Sequence, residues 1–193
     1  TTMEIGPVDL EATALPVESL KRQSAYVDRI LGEVLQRDVD YGVIPGTKRP
    51  TLYQPGAQLL CRGLGLSPGY EVARIDRSRE LVAAVVRCSL THAGRVIGQG
   101  IGSCNSGERK YLNTLNTLAK RAEEYGDPAP SALELENTVL KMAAKRALVA
   151  ATLNTTAASR VFAQDYQGED PGDGQNAGDD DSRQGRRQRS QGP

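Results

Sequence analysis

Aromatic side chains are scarce in this chain of 193 residues, which contains seven Tyr, one Phe and no Trp. Proteins that hold single nucleic-acid strands mainly by stacking need a series of aromatic rings for successive bases. The composition therefore argues against an extended stacking platform. If the partner is a nucleic acid, we expect recognition through its backbone phosphates.

Histidine is nearly absent, and no two cysteines lie close together in the sequence. His92 is the single histidine, so a zinc-protease motif, a histidine-dependent triad or a two-histidine metal site cannot be assembled, and its place in "THAGR" favours an ordinary turn residue. Cys61, Cys88 and Cys104 are widely spaced, odd in number and form no C-x-x-C pair. We expect buried or half-buried thiols in a reducing compartment, with neither a disulfide framework nor a zinc cluster.

Long apolar runs and clustered acids are absent as well. No run reaches the roughly 18 residues of a membrane-spanning helix, and the chain does not start with a signal-peptide pattern. We therefore expect a cytoplasmic protein. The carboxylates lack the clustered arrangement, with a nearby Lys, that a metal-dependent nuclease requires. An enzyme is the weaker hypothesis, and no cofactor is implied.

Charge is balanced overall, with 24 Lys and Arg against 24 Asp and Glu, but it is uneven along the chain. Residues 1–164 hold 20 basic and 17 acidic side chains, so a neutral total does not argue against a polyanionic partner. Residues 167–193 contain no large apolar side chain. We expect a flexible arm over residues 1–15, one domain over residues 16–165, and a disordered tail over residues 166–193 that is acidic first and then basic.

Hydrophobic spacing predicts the order helix, loop, short helix, three strands, helix, helix. Residues 17–40 have the three- and four-residue apolar spacing of an amphipathic helix, which should end before "DYGVIPG". The following Gly and Pro residues predict a basic loop with Lys48 and Arg49 at its tip. Pro55 suits the first turn of a short helix.

The middle of the chain changes to alternation with period two. Residues 70–75, 80–90 and 95–103 are separated by short polar turns, which predicts a three-stranded antiparallel meander because such turns cannot carry a parallel crossover. We expect Arg74 and Arg95 near the polar end of the outer face that Arg87 begins. The fold class is α+β, with a β-β-β-α core whose middle strand buries Val82, Ala84, Val86, Cys88 and Leu90.

The segment "GQGIGSCNSGERK" joins the sheet to the next helix. Its three glycines lack dinucleotide-binding spacing and favour a strand face that another backbone approaches closely. Ser106 is the expected N-cap of a helix that ends at Gly126. With Arg109 and Lys110 in its first turns, this helix start suits a bound phosphate.

The last helix, introduced by a Ser131 capping box with Glu134, carries a narrow basic stripe. On a helical wheel, apolar residues and alanines fill most of the circumference, and Arg146 lies among them. Its guanidinium there must find a carboxylate, a backbone carbonyl or an external anion. A solvated face is the common explanation of one basic pair, but the narrowness of this stripe favours a groove that follows phosphates. The stripe consists of Asn137, Thr138, Lys141, Lys145 and Thr152.

Three segments resemble a group of uncharacterised phage and mobile-element proteins over roughly residues 17–165: "DYGVIPGTKRPTLYQPGAQLLCRGLGL", "GQGIGSCNSGERKY" and "NTVLKMAAKRALVAATLNTTAASRVFAQD". The β-β-β-α order and the late basic helix resemble the phage single-strand annealing proteins, the Red-beta, RecT, Erf and Sak superfamily. That resemblance implies ATP-independent binding of single-stranded DNA, strand annealing in phage-type recombination, homo-oligomeric rings or filaments, and a partner exonuclease.

Carried over by position, the resemblance places the DNA-binding groove on Lys141, Lys145 and Arg146, with contributions from Arg74, Arg87 and Arg95. Many members of the group insert a cysteine-paired segment before the last helix, and this chain has none, so no zinc-dependent role is implied there. Two other hypotheses stay open: a protein-interaction adaptor in a phage or plasmid replication complex, pairing through the edge of the meander, and a metal-dependent nuclease. Further basic candidates are Lys48, Arg49, Arg109 and Lys110.

Overall fold

The computed structural model describes residues 15–44 and 49–163. The expected arm, the expected tail and Lys48 lie outside these ranges, apart from Leu15 at the end of the arm. Two short 3-10 turns, Ala132–Leu135 and Ala158–Arg160, flank the last helix. The elements, in chain order, are α1 Val17–Glu33, β1 Tyr41–Gly42, β2 Thr51–Leu52, α2 Gln54–Gly63, β3 Ser67–Arg77, β4 Val82–His92, β5 Arg95–Asn105, α3 Arg109–Tyr125 and α4 Glu136–Thr156.

The central unit is an antiparallel sheet of order β3-β4-β5, with α4 packed on one face against β5 and β4. The predicted α+β fold class and the predicted meander are confirmed. Alternate residues of β4 face this helix and are at most 2% exposed, as their period-two spacing predicted. These residues are Val82, Ala84, Val86, Cys88 and Leu90.

Glycines on β5 allow α4 to lie directly on the strand. A Cβ atom added to Gly100 would come within 2.7 Å of the Ala150 carbonyl carbon and the Ala151 Cα. Gly102 meets the α4 backbone in the same way, at Ala143 and Ala147. The predicted close approach of a second backbone is therefore confirmed, and the approaching element is the basic last helix.

The helix layer leaves β3 partly uncovered. Tyr70 and Val72 pair across the sheet with Cys88 and Val86, so they share the helix-side face with these buried residues. Their exposures are nevertheless 51% and 52%, because α4 lies over the other two strands. The opposite face of the sheet is exposed or half-buried along all three strands.

The start of α3 differs from prediction. Ser106 is buried, its hydroxyl accepts the Val82 N–H at 3.0 Å, and its own N–H donates to the Val82 carbonyl at 2.8 Å. The residue thus extends the β4–β5 ladder by one step, and α3 begins only after Glu108. The end at Gly126 is confirmed by its left-handed conformation, with φ of 72°.

The segment after α1 is more structured than its Gly and Pro content indicated. The helix ends at Glu33 rather than close to residue 40, and a short antiparallel β1–β2 pair replaces part of the expected loop. Asp40 organises this turn: its carboxylate accepts the Gln36 N–H at 2.8 Å, and its carbonyl accepts the Tyr53 N–H at 2.9 Å.

The short helix with Pro55 in its first turn and the Ser131–Glu134 capping box are both confirmed. None of the helices in the described ranges has the length and apolarity needed to cross a bilayer.

Candidate nucleic-acid interface

The polar stripe of α4 is open over the first half of the helix and closed over the second. Lys141 is exposed and Lys145 is half-buried. Thr152 is fully buried instead, because α2 packs there: its hydroxyl donates to the Leu148 carbonyl at 2.9 Å and lies 3.4 Å from the Cys61 Sγ. We use the name basic stripe for the remaining residues, Asn137, Thr138, Lys141 and Lys145.

Arg146 is half-buried and is held by partners within the protein. Its guanidinium donates to both carboxylate oxygens of Glu108, at 2.7 and 2.8 Å, and to the Ser103 carbonyl at 2.7 Å. The Arg146 side chain is 32% exposed and the Glu108 side chain is 25% exposed. The prediction that Arg146 needs a carboxylate or a carbonyl is confirmed, since it has found both. This pair fixes α4 to the start of α3 and to the edge of β5.

The ion pair also changes the titration of both partners. Hydrogen bonding to Glu108 raises the pKa of Arg146 above its ordinary value, against the opposing effect of burial. Burial acts to raise the pKa of Glu108, but the Arg146 hydrogen bonds and charge, with the Asn105 N–H, outweigh it and leave this pKa below its ordinary value. Both groups are therefore charged at neutral pH.

Arg74 of β3 and Arg87 of β4 lie on the side of the sheet that faces away from α4. Arg87 pairs across the sheet with Glu71, whose carboxylate it contacts at 3.0 Å, and Arg74 contacts Asp76 at 2.8 Å. Both belong to the face that α4 does not cover, since Arg74 stands opposite Val85 and not opposite a buried residue of β4. They do not form one groove with the basic stripe.

Arg95 lies at a different end of the domain from Lys141. It pairs with His92 beside the β4–β5 turn and so lies near the polar end of the outer face, as expected, whereas Arg74 stands opposite Val85 in the apolar half of that face. The helix α4 runs antiparallel to β5, with Ala143 against Gly102 and Thr155 against Gly98. Fourteen residues of helix, about 21 Å at 1.5 Å per residue, therefore separate Lys141 from the end near Arg95.

The remaining candidates are also dispersed. Arg49 is exposed and precedes Pro50, whose carbonyl accepts the Ala163 N–H at 2.8 Å, which places it beyond the C-terminal end of α4. Arg109 is exposed at the start of α3. Its neighbour Lys110 places its Nζ 4.9 Å from the Tyr111 ring centroid. Of the candidates that the structure describes, only Lys141 and Lys145 share the open side of α4.

Sequence reasoning missed the basic β3–β4 turn beside the start of α4. Arg77 forms an ion pair with Glu136 at 2.7 Å, and the Arg79 carbonyl accepts the Ala132 N–H at 2.9 Å. This contact places Arg79 beside the start of α4, at the same end of the domain as Lys141, and its side chain is exposed. Neither strand periodicity nor helix periodicity carries a signal for this juxtaposition, because it depends on how the sheet and α4 meet.

Comparisons with known proteins add nothing to this geometry: no family model, no curated protein and no solved structure matches the chain. The resemblance to phage annealing proteins therefore stays a prediction. Within residues 15–44 and 49–163, no group of three or more His, Cys, Asp or Glu side chains is arranged to hold a metal ion. The charges of α4 and of the β3–β4 turn are therefore the features of the molecule that indicate a function.

Proposed function

We propose that this protein binds single-stranded DNA without nucleotide hydrolysis and anneals complementary strands. The observation that carries the proposal is the basic stripe, in which Lys141 and Lys145 stand one turn apart on the open side of a helix that is otherwise largely buried. Arg79 supplies a further cation at the same end of the domain. The phosphates of a strand lie along this end, and the bases remain available for pairing.

The charge balance of the folded region supports a polyanionic partner. Residues 15–44 and 49–163 contain 19 Lys and Arg against 14 Asp and Glu, an excess of five. Internal ion pairs such as Glu108 with Arg146 and Glu136 with Arg77 neutralise one acid and one base each, so the excess of five remains. Binding of this kind is driven by the release of counterions from the strand, so the affinity must fall steeply as salt rises.

The test is a fluorescence titration with a labelled oligonucleotide at several salt concentrations, followed by strand annealing without nucleotide. We expect Lys141→Ala with Lys145→Ala to weaken binding and to reduce the slope of log affinity against log salt by about 0.7 per lost phosphate contact, or roughly 1.4 for two contacts. The matched control is Lys21→Ala with Arg22→Ala, which removes two exposed cations of α1. This control should bind like the unmodified protein.

Two results would contradict the proposal. One is an unchanged affinity and salt slope in the Lys141/Lys145 double variant when circular dichroism shows that it is folded. The other is an equal loss of affinity in the α1 control, because binding would then depend on total charge and not on the basic stripe.

A second candidate function is that of a protein-interaction adaptor. The outer edge of β3 pairs with no strand among the described residues, and Tyr70 and Val72 are half exposed beside it. An open edge of this kind pairs readily with a strand of another protein. If the titration above shows no salt-dependent affinity for oligonucleotides, that result favours the adaptor function.

A further inference from the structure

The helix α3 carries an apolar face that its own domain covers mainly at one end. Five positions follow the alternating four- and three-residue steps of a coiled-coil seam: Tyr111, Leu115, Leu118, Ala122 and Tyr125. Leu112 and Ala119 widen the same face, because they lie three residues before and four residues after Leu115. We call these seven residues the α3 seam.

The α3 seam is most strongly covered by the rest of the described chain in its first turns. Tyr111 is buried, and its hydroxyl accepts a weak hydrogen bond from the Cys104 Sγ at 3.6 Å. Leu115 packs partly against the core. Further along, Tyr125 is 75% exposed and Ala119 is exposed, and no residue of α3 after Tyr111 is buried. Leu118 and Ala122 are half-buried, so the second half of the seam is less covered than its start.

The sequence of α3 is poorly suited to a helix that stands alone. Asn113, Thr114, Asn116 and Thr117 have low helix propensity, and an isolated helix of 17 residues is marginal in water even with better residues. The end charges are also reversed relative to the helix dipole, since the first turn has no acid and the last turn has no base. Packing against another element must supply the missing stability.

A second copy of α3 running in the opposite direction fits both the partly covered seam and the reversed end charges. Tyr111 and Tyr125 lie seven residues before and after Leu118, so an antiparallel copy centred on Leu118 brings each tyrosine to the other and Leu118 to itself. An antiparallel copy centred there places the basic first turn of one helix beside the acidic last turn of the other. The basic turn contains Arg109 and Lys110, and the acidic turn contains Glu123 and Glu124, followed by Asp127.

We propose that this protein forms a homodimer through antiparallel pairing of α3. A parallel pair is disfavoured because it brings like charges together at both ends. The helix is about 26 Å long at 1.5 Å per residue, which gives a small interface. The dimer should therefore dissociate on dilution, with a dissociation constant in the micromolar range. The proposal concerns protein alone and does not depend on DNA binding.

Sedimentation of the full chain at about 5 to 200 μM, without nucleic acid, tests the dimer. We expect a monomer–dimer equilibrium, and Leu118→Glu should raise the dissociation constant by more than tenfold because it brings two carboxylates together at the centre. Val17→Glu is the matched control, since it adds the same charge at an exposed apolar position of α1. This control should dimerise normally.

Charge exchange tests the antiparallel direction. Arg109→Glu with Lys110→Glu, or Glu123→Lys with Glu124→Lys, should each weaken self-association, whereas an equimolar mixture of the two variants should form a heterodimer. Each exchange improves the match between the end charges and the helix dipole, and circular dichroism verifies that each variant keeps its helix content. A monomeric protein at 200 μM, or variants that dimerise like the unmodified chain, would overturn the proposal.

Discussion

At the scale of single residues, the cations of α4 differ in what balances their charge. Arg146 is fixed by Glu108 and the Ser103 carbonyl, whereas Lys141, five residues earlier, extends from the open side of the helix. A half-buried charge that loses its partner is left without the solvation it had in water. We therefore expect Arg146 to contribute to stability, and Lys141 to contribute to the proposed binding.

The Glu108–Arg146 pair should make stability depend on pH at the acid end. The pKa of Glu108 is depressed in the folded protein, so its contribution is present above its unfolded pKa and is lost as pH falls through the folded value. We expect Glu108→Gln to lower the free energy of unfolding by about 1–3 kcal/mol at pH 7. The difference from the unmodified protein should shrink below about pH 4. Urea unfolding at pH 7 and pH 3.5 measures both.

The control for this prediction is Glu33→Gln, which removes the exposed carboxylate that Arg29 contacts at 3.2 Å. Exposed pairs one turn apart contribute only about 0.3–0.5 kcal/mol. A Glu108 variant that is no less stable than the Glu33 variant at pH 7 would show that the ion pair does not hold α4 to α3.

At the scale of elements, the contact between α4 and β5 positions the basic stripe. The glycines of β5 remove the side chains that would hold the helix away from the sheet, so the alanine face of α4 lies directly on the strand. The opposite side of the helix then faces outward over its first half. The orientation of Lys141 is thus a consequence of Gly100 and Gly102.

Adding one methyl group at this contact should therefore be costly. We expect Gly102→Ala to lower the free energy of unfolding by about 1–3 kcal/mol, because the new Cβ meets the α4 backbone at Ala143 and Ala147, which cannot yield as a side chain can. Thermal or urea unfolding measures the change. The matched control is Gly69→Ala on β3, where the nearest atom, the Ser89 carbonyl oxygen, is 3.9 Å away. Equal stability of the two variants would contradict the close packing of α4 on β5.

At the scale of the whole molecule, one hydrophobic core joins the sheet to α4, α2 and α1. All three cysteines are buried in it and unpaired. Burial raises the pKa of Cys88 and of Cys104 to about 11, so little of the reactive thiolate is present at neutral pH.

Thiol reactivity should therefore report the opening of the core. We expect the three thiols to react slowly with a disulfide reagent at pH 7.5 under native conditions, and to become reactive together as urea unfolds the domain. The reaction is followed by absorbance, with the unfolded protein as the reference for full reactivity. Fast modification of a single cysteine without denaturant would show that this part of the core opens separately.

Several features of the fold followed from the sequence because they are local. The alternation in β4 identifies its buried face, Gly126 ends α3, and Ser131 with Glu134 builds a capping box, each within a few neighbouring residues. The glycines of β5 also indicated a close backbone approach, although not which element approaches.

The location of the charges was decided by tertiary structure. Arg146 and Glu108 are 38 residues apart in sequence, and Arg87 and Glu71 are 16 apart, so no periodicity reveals that these cations have internal partners. Likewise, the hydroxyl of Thr152 lies beside Cys61 because α2 covers the C-terminal end of the polar stripe. Helical and strand periods determine which side of an element a residue occupies, but the packing of elements determines whether that side meets solvent, an acid or another helix.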